Sequence, residues 1–198
     1  MLKQSLVLLS SLLVAPAFAD WTVAPEHSSL HFMSTKNAQV TEVHAFEELS
    51  GSVSDSGKLM IEVPLSSVNT NIPIRNTRMQ EKLFNVAKFP AATFTADVPA
   101  DLMKLKAGSS TTAKVDGTLS LHGVEAPVSF NVSVSKVSAD TMVVSTVSPT
   151  LIGAETFGLT AGLDMLQNIA GLKSITQTSP VTFSVTFEME YALIPERE

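Results

Sequence analysis

Few residues in this chain are placed where they could do covalent chemistry. Ser133 and Lys136 have the spacing of an S-x-x-K nucleophile and its base. That pair works on a helix, where one turn returns the Lys to the Ser. Here it lies in a cleanly alternating run, in which positions three apart face opposite ways. The histidines are His27, His31, His44 and His122. His27 and His31 have a helical ligand spacing, but the surrounding PEHSSLHF reads as loop and strand, and a zinc site needs three or four converging ligands. No metal site, catalytic residue or cofactor is therefore expected, and the GxSxG, GxGxxG and Walker A patterns are missing. His122, before Gly123, reads as a turn residue that hydrogen-bonds a loop. Asn131-Val132-Ser133 fits a glycosylation sequon, which matters only in a eukaryotic secretory route.

The cations say more. Arg75 and Arg78 stand together at the start of a helical segment, with Lys82 four residues beyond Arg78. Arginine presents a planar fork suited to phosphate or carboxylate, and backbone donors at a helix start add to such a site. Arg75, Arg78 and Lys82 are candidate contacts for an anionic headgroup. The alternative is a solvated basic face partly neutralised by Glu81.

The elements that must position these residues are mostly strands. Val128, Phe130, Val132 and Val134 alternate with polar neighbours, as do Val181, Phe183, Val185, Phe187, Met189 and Tyr191 near the C-terminus. The same period of two runs through Leu59 to Leu65, Ala92 to Val98 and Val115 to Leu121. Leu30 with Phe32, the Val43 to Val53 region and Met142 to Val147 are further candidates. Turn signals such as Ser54-Asp55-Ser56-Gly57 and His122-Gly123 separate them. The expected fold is all-β, an antiparallel barrel or sandwich of about eight strands, and a barrel of that size is either filled by side chains or holds one small ligand. Alternation cannot tell those two states apart.

Two segments break the pattern. Thr77 and Gln80 have capping-box spacing, and Met79, Leu83, Phe84 and Val86 give a short helix an apolar face before Pro90. From Thr160 to Leu172, a narrow polar stripe of Asp164, Gln167, Asn168 and Gly171 leaves the rest apolar. Such a helix must be covered by the barrel, a ligand or a partner. It is a candidate lid, with flat packing on the barrel wall as the alternative.

Residues 1–19 read as a cleavable signal peptide: Lys3, an apolar run from Leu6 to Val14, and Ala17-Phe18-Ala19 at the cut. That run is short of the roughly 20 residues of a membrane span, so no stable membrane insertion is expected. Residues 20–198 then form one domain. The chain has no Cys, which excludes disulfides and a lipid anchor on Cys. Its net charge of −6 argues against nucleic acid, whose phosphates need Lys and Arg.

Two segments carry a family resemblance: RNTRMQEKLFNVAKFPAATF, Arg75 to Phe94, and VDGTLSLHGVEAPVSF, Val115 to Phe130. They closely resemble the YceI-like family, and the likeness runs from near Trp21 to the C-terminal strand. It implies a lipocalin-like antiparallel barrel with one or two short helices, holding a long apolar lipid of the polyisoprenoid kind in a bacterial periplasm. The chain departs from the family at two places. Where R-D-x-H is usual it has Arg75, Asn76, Thr77 and Arg78, and the basic residue common before Phe157-Gly158 is replaced by Ala154 and Glu155.

On this reading the protein is a periplasmic, non-enzymatic carrier of a polyisoprenoid or related fatty chain. Its lining would come from Phe32, Ile61, Val63, Phe94, Leu119, Leu121, Phe130, Val132, Phe183, Val185 and Phe187. A homodimer is compatible with it. The rival readings are a stress-related or membrane-complex-associated protein with a filled barrel, and a small barrel enzyme. The last would need a polar pair on the apolar faces, and the sequence offers no convincing one.

Overall fold

The computed structural model describes residues 20–189. The expected signal peptide, and Tyr191 at the end of the last predicted strand, lie outside them. Within them one antiparallel sheet closes on itself. Its segments are β1 (Trp21–Val23), β2 (Ser29–Lys36), β3 (Val40–Phe46), β4 (Ser50–Val53), β5 (Lys58–Pro64), β6 (Val68–Asn69), β7 (Ala91–Asp97), β8 (Ser109–Leu121), β9 (Val124–Lys136), β10 (Thr141–Thr146), β11 (Thr150–Gly153) and β12 (Thr178–Met189).

Several of these segments are halves of one strand. β1 and β2 lie on one edge of β12, and β10 and β11 on the other. β3 and β4 likewise pair with β6 and β5. Pro25, Pro64 and Pro149 fall at or beside three of the four breaks, where a residue without an N–H interrupts the ladder least harmfully. Joined in this way the segments make an eight-stranded up-and-down barrel, the expected fold. β1 closes it, pairing Trp21 with Val53 of β4 and with Met189 of β12. The β8–β9 hairpin turns through His122 and Gly123, both at positive φ (54° and 79°), the geometry of a type I′ turn.

Two helical segments sit at one end, here called upper. α1 (Pro73–Arg78) runs on into a π-helical turn, Met79–Phe84, and α3 (Thr160–Ile169) precedes β12. At the lower end α2 (Ala100–Met103) joins β7 to β8. Gly162 lets α3 lie against the π turn, since a Cβ there would come within 2.8 Å of the Lys82 carbonyl oxygen. Gly117, on the inner face of β8, leaves the space that the Phe94 ring occupies.

The capping-box expectation is corrected. The helix starts a turn earlier, at Pro73, whose fixed φ and missing N–H suit a first helical position. Thr77 lies inside the helix and donates its hydroxyl to the Pro73 carbonyl at 3.2 Å, while the Gln80 amide donates to the Ser66 carbonyl at 2.7 Å. The loop ahead of the helix is tied down by Asn76, whose side-chain oxygen accepts from the Thr70 N–H at 2.9 Å and from its hydroxyl.

Candidate functional site

Period-two alternation in a closed sheet sends one face of every strand inward, and these inward faces surround a cavity of about 600 Å³. All eleven residues named from the sequence as lining border it. So do Leu30, Phe46, Leu59 and Val144, which share the same faces, and Met79, Leu83, Leu163 and Leu166 from the helices. Their burial separates the hollow part from the packed part. Val132, Val185 and Phe187 are 2 %, 5 % and 4 % exposed. Phe94, Phe130 and Phe183, midway along a closed wall, keep part of their surface, and that surface faces the cavity. The three rings meet edge to face, at centroid separations of 5.1 and 5.2 Å.

The lower end is sealed. Trp21 is 4 % exposed, and Lys136 Nζ lies 3.4 Å from its ring centroid while donating to the Ala139 carbonyl at 2.9 Å. Burial pushes the Lys136 ammonium below its ordinary pKa. Lys136 belongs to this seal, and Ser133 faces the other side of β9, so the S-x-x-K spacing assembles nothing.

Toward the upper end the inward faces turn polar. On β2 they read Leu30, Phe32, Ser34, Lys36, and on β3 Phe46, His44, Glu42. Glu42 Oε2 accepts from Lys36 Nζ and from the Arg75 guanidinium, each at 2.8 Å. A second Arg75 nitrogen donates to the Thr70 carbonyl at 2.7 Å. The Lys36 ammonium, then the Arg75 guanidinium, hold the Glu42 carboxyl below its usual range. This carboxylate fastens α1 to the rim of the barrel. His44, buried, sits with Nε2 2.9 Å from Ser34 Oγ and its ring 5.0 Å from that of Phe32. Burial, then the Arg75 charge, push its imidazole below the ordinary value and keep it neutral. His44 Nδ1 and Arg75 Nε are buried without partners.

Ser34 and His44 form the polar pair that the sequence did not disclose. It has the contact of a nucleophile and its base but not the rest of the apparatus. No carboxylate meets His44 Nδ1 to orient the ring, and the N–H that follows Ser34, that of Thr35, donates to Thr176 Oγ1 at 3.1 Å rather than into an oxyanion hole.

The three proposed headgroup cations separate. Arg75 lines the mouth but is engaged by Glu42, while Arg78 lines it and makes no ion pair among the described residues. Lys82 is placed outside the cavity, exposed, 3.6 Å from Glu81. A spacing of four would bring Lys82 onto the Arg78 face under α-helical winding. The wider π turn from Met79 carries Lys82 off the face that Arg78 shares with the mouth. Ala154 lines the cavity and Glu155 is exposed, so a methyl group faces the cavity at this place.

The other histidines are structural or exposed. His122 Nδ1 lies 3.3 Å from the Phe157 carbonyl, and its ring meets Phe89 edge to face at 4.7 Å. His27 is exposed in a 3-10 turn. No group of three or more metal-ligating side chains occurs among the described residues.

A YceI-like domain model matches residues 21–189. A polyisoprenoid binding domain from Saccharophagus degradans, implicated in plant cell wall breakdown, is 37% identical with a TM-score of 0.83, over 86% of this chain and 98% of that one. Burkholderia cenocepacia BcnA is 18% identical with a TM-score of 0.64, over 83% and 98% of the two chains. The Campylobacter jejuni YCEI protein is 18% identical with a TM-score of 0.55, over 80% and 91%. These last two share the fold. No curated protein matches the sequence.

Proposed function

The chain belongs to the YceI-like domain family, and from that premise we propose that it is a non-enzymatic carrier sheltering a polyisoprenoid or related fatty chain in its barrel after export to the periplasm. The observation that carries the reading is the aromatic girdle of Phe94, Phe130 and Phe183, which is enclosed by the sheet and yet open to the cavity. Each methylene taken from water contributes about 0.8 kcal/mol, so a long chain binds tightly with few polar contacts. That is why no catalytic motif is needed.

The ligand enters by the upper end, where Lys36, Arg75 and Arg78 outnumber Glu42 and the neutral His44 adds no charge. A negatively charged or strongly dipolar headgroup suits that rim, with Arg78 as its first contact. Organic extraction of the purified protein, with mass spectrometry of the extract and native mass spectrometry of the intact complex, tests the reading. A retained long-chain lipid is the expected result, and a barrel that never carries one overturns it. Intact mass of the exported product tests the cut after Ala19, and a mass that retains residues 1–19 overturns it.

A further inference from the structure

Resting on the carrier reading, a cargo insoluble in water must be taken from a lipid phase and returned to one, and the exposed, charged part of the cavity lining is at the upper end. Around that opening exposed apolar side chains stand together with cations. Val40, Ile72, Ile74, Met165 and Ile169 each keep between 42% and 56% of their surface exposed. Ile72 and Ile74 border the cavity itself, while Met165 and Ile169 each precede in α3 a residue that does, Leu166 and Ala170. Val40 is the cross-strand partner of Lys36 at the mouth. Other exposed large apolar residues are scattered away from the mouth, among them Met60 on the outer face of β5, Leu151 on β11 and Val137 in the turn after β9.

Charge accompanies this apolar rim. Lys36, Arg75 and Arg78 border the mouth, and Lys173 stands beside it, its backbone N–H held at 2.8 Å by the Asn37 side chain. Glu42 is saturated by two of these cations, and of the exposed acids at this end Glu81 faces Lys82 while Glu155 and Asp164 stand outside the cavity lining, so the residues that border the mouth itself keep a net positive charge. A cationic rim on a chain whose net charge is −6 matches a negatively charged surface. Exposed apolar side chains interleaved with Lys and Arg are what an anionic bilayer accepts. The former enter the boundary between headgroups and acyl chains, and the latter pair with phosphates. A second copy of this chain would bring like charges together.

We propose that the upper rim docks the protein on an anionic phospholipid bilayer, with the cavity mouth against the lipid and α1 and α3 flanking it. The test is sedimentation with vesicles of phosphatidylglycerol and phosphatidylethanolamine, against vesicles of phosphatidylcholine alone. The protein should pellet with the anionic vesicles and be released by salt. Ile74→Glu with Ile169→Glu should lower the partition coefficient by about tenfold or more, because two inserting groups become charges of the lipid's own sign. Met60→Glu, equally exposed on the wall, should bind as the parent does.

Parent protein that ignores anionic vesicles, or a rim variant that still binds them fully while folded by circular dichroism, overturns the proposal. A rim variant that instead dissociates a dimer in sedimentation velocity also overturns it, in favour of self-association. Lipid retention, read separately by native mass spectrometry, keeps the two readings apart. Docking without retained lipid sinks the carrier, and retained lipid without docking sinks the rim.

Discussion

At the lower end of the barrel Trp21, Met142 and Phe187 fill the space between strands, at 4 %, 6 % and 4 % exposed, while Phe94, Phe130 and Phe183 midway up remain partly open to the cavity. The strands are the same, and so is the alternation that points these residues inward. The floor is closed by one indole with a lysine across its face, and by α2 tucking Leu102 under the sheet. The middle stays hollow because its large rings lean on each other edge to face rather than interleave across the barrel. A floor and a hollow made this way should respond oppositely to truncation.

The largest expected effect is on stability, at the floor. Trp21→Ala removes a buried ring and uncovers Lys136, and should cost about 3–5 kcal/mol in urea unfolding of the ligand-free protein. Phe130→Ala enlarges a space that is already empty, and should cost less than about 2 kcal/mol. Equal losses at the two sites would mean that the hollow is in truth a packed core.

Ligand retention should reverse that order of sensitivity within the hollow. Phe130→Glu or Phe183→Glu should abolish retention of a long-chain lipid, whereas Ser129→Ala and Ser184→Ala, on the opposite faces of the same strands, should retain it as the parent does. Native mass spectrometry of proteins shown to be folded by circular dichroism decides this. If the serine and phenylalanine variants lose lipid alike, the assignment of inner and outer faces is wrong.

The contrast also explains what was legible in the sequence. The inner faces of the long strands follow from period two, so the barrel and its apolar lining could be named residue by residue. β1 has three residues, too few to alternate visibly, although it closes the barrel. Ser34, Lys36, Glu42 and His44 continue the inward positions of β2 and β3, but polar residues there interrupt the apolar pattern by which the faces are recognised. The signal that would have found them is positional: Phe32 and Phe46 already fix which parity points inward. Lys82 stands apart from Arg78 because a spacing of four shares a face only under α winding, and nothing local announces a π turn. Hollow against filled was illegible for a simpler reason, since both states need the same apolar residues facing the same way.

Smaller effects belong to the upper rim, where two arginines that look alike in sequence have different employment. Arg78→Met should weaken binding of a phosphorylated or carboxylated lipid by about tenfold, one charge-assisted hydrogen bond at about 1.4 kcal/mol per decade. It should leave binding of the neutral alcohol with the same tail unchanged. Arg75→Met removes the one partner of Glu42 that lies on α1 and should loosen that helix, so that both affinities fall together and ligand exchange quickens. Titration with the charged and neutral lipids separates them. Identical behaviour of the two variants would show that the Glu42 ion pair does not hold the helix.

The smallest effect is the response of that rim to acid, and its sign is set by two groups shifted the same way. His44, kept neutral by burial, has a native pKa below the 6.5 of a free imidazole, so the unfolded chain binds the extra proton first as pH falls through 6.5. Stability should decline from there until the native imidazole also protonates. Glu42, lowered by Lys36 and Arg75, contributes stability in full above the ordinary 4.5 and loses it as pH falls from there through its depressed native value. At the floor the same rule acts in the alkaline range: Lys136, lowered by burial, carries its penalty in full below its native pKa, and stability rises as pH climbs from that value through 10.5, above which the penalty is gone. Urea unfolding measured in steps from neutral pH downward should show two descents. His44→Leu should flatten the first, and Glu42→Gln the second, each leaving the other in place. A single descent untouched by either variant would mean that the rim carries none of the acid sensitivity, and that the carboxylates elsewhere on this acidic chain account for all of it.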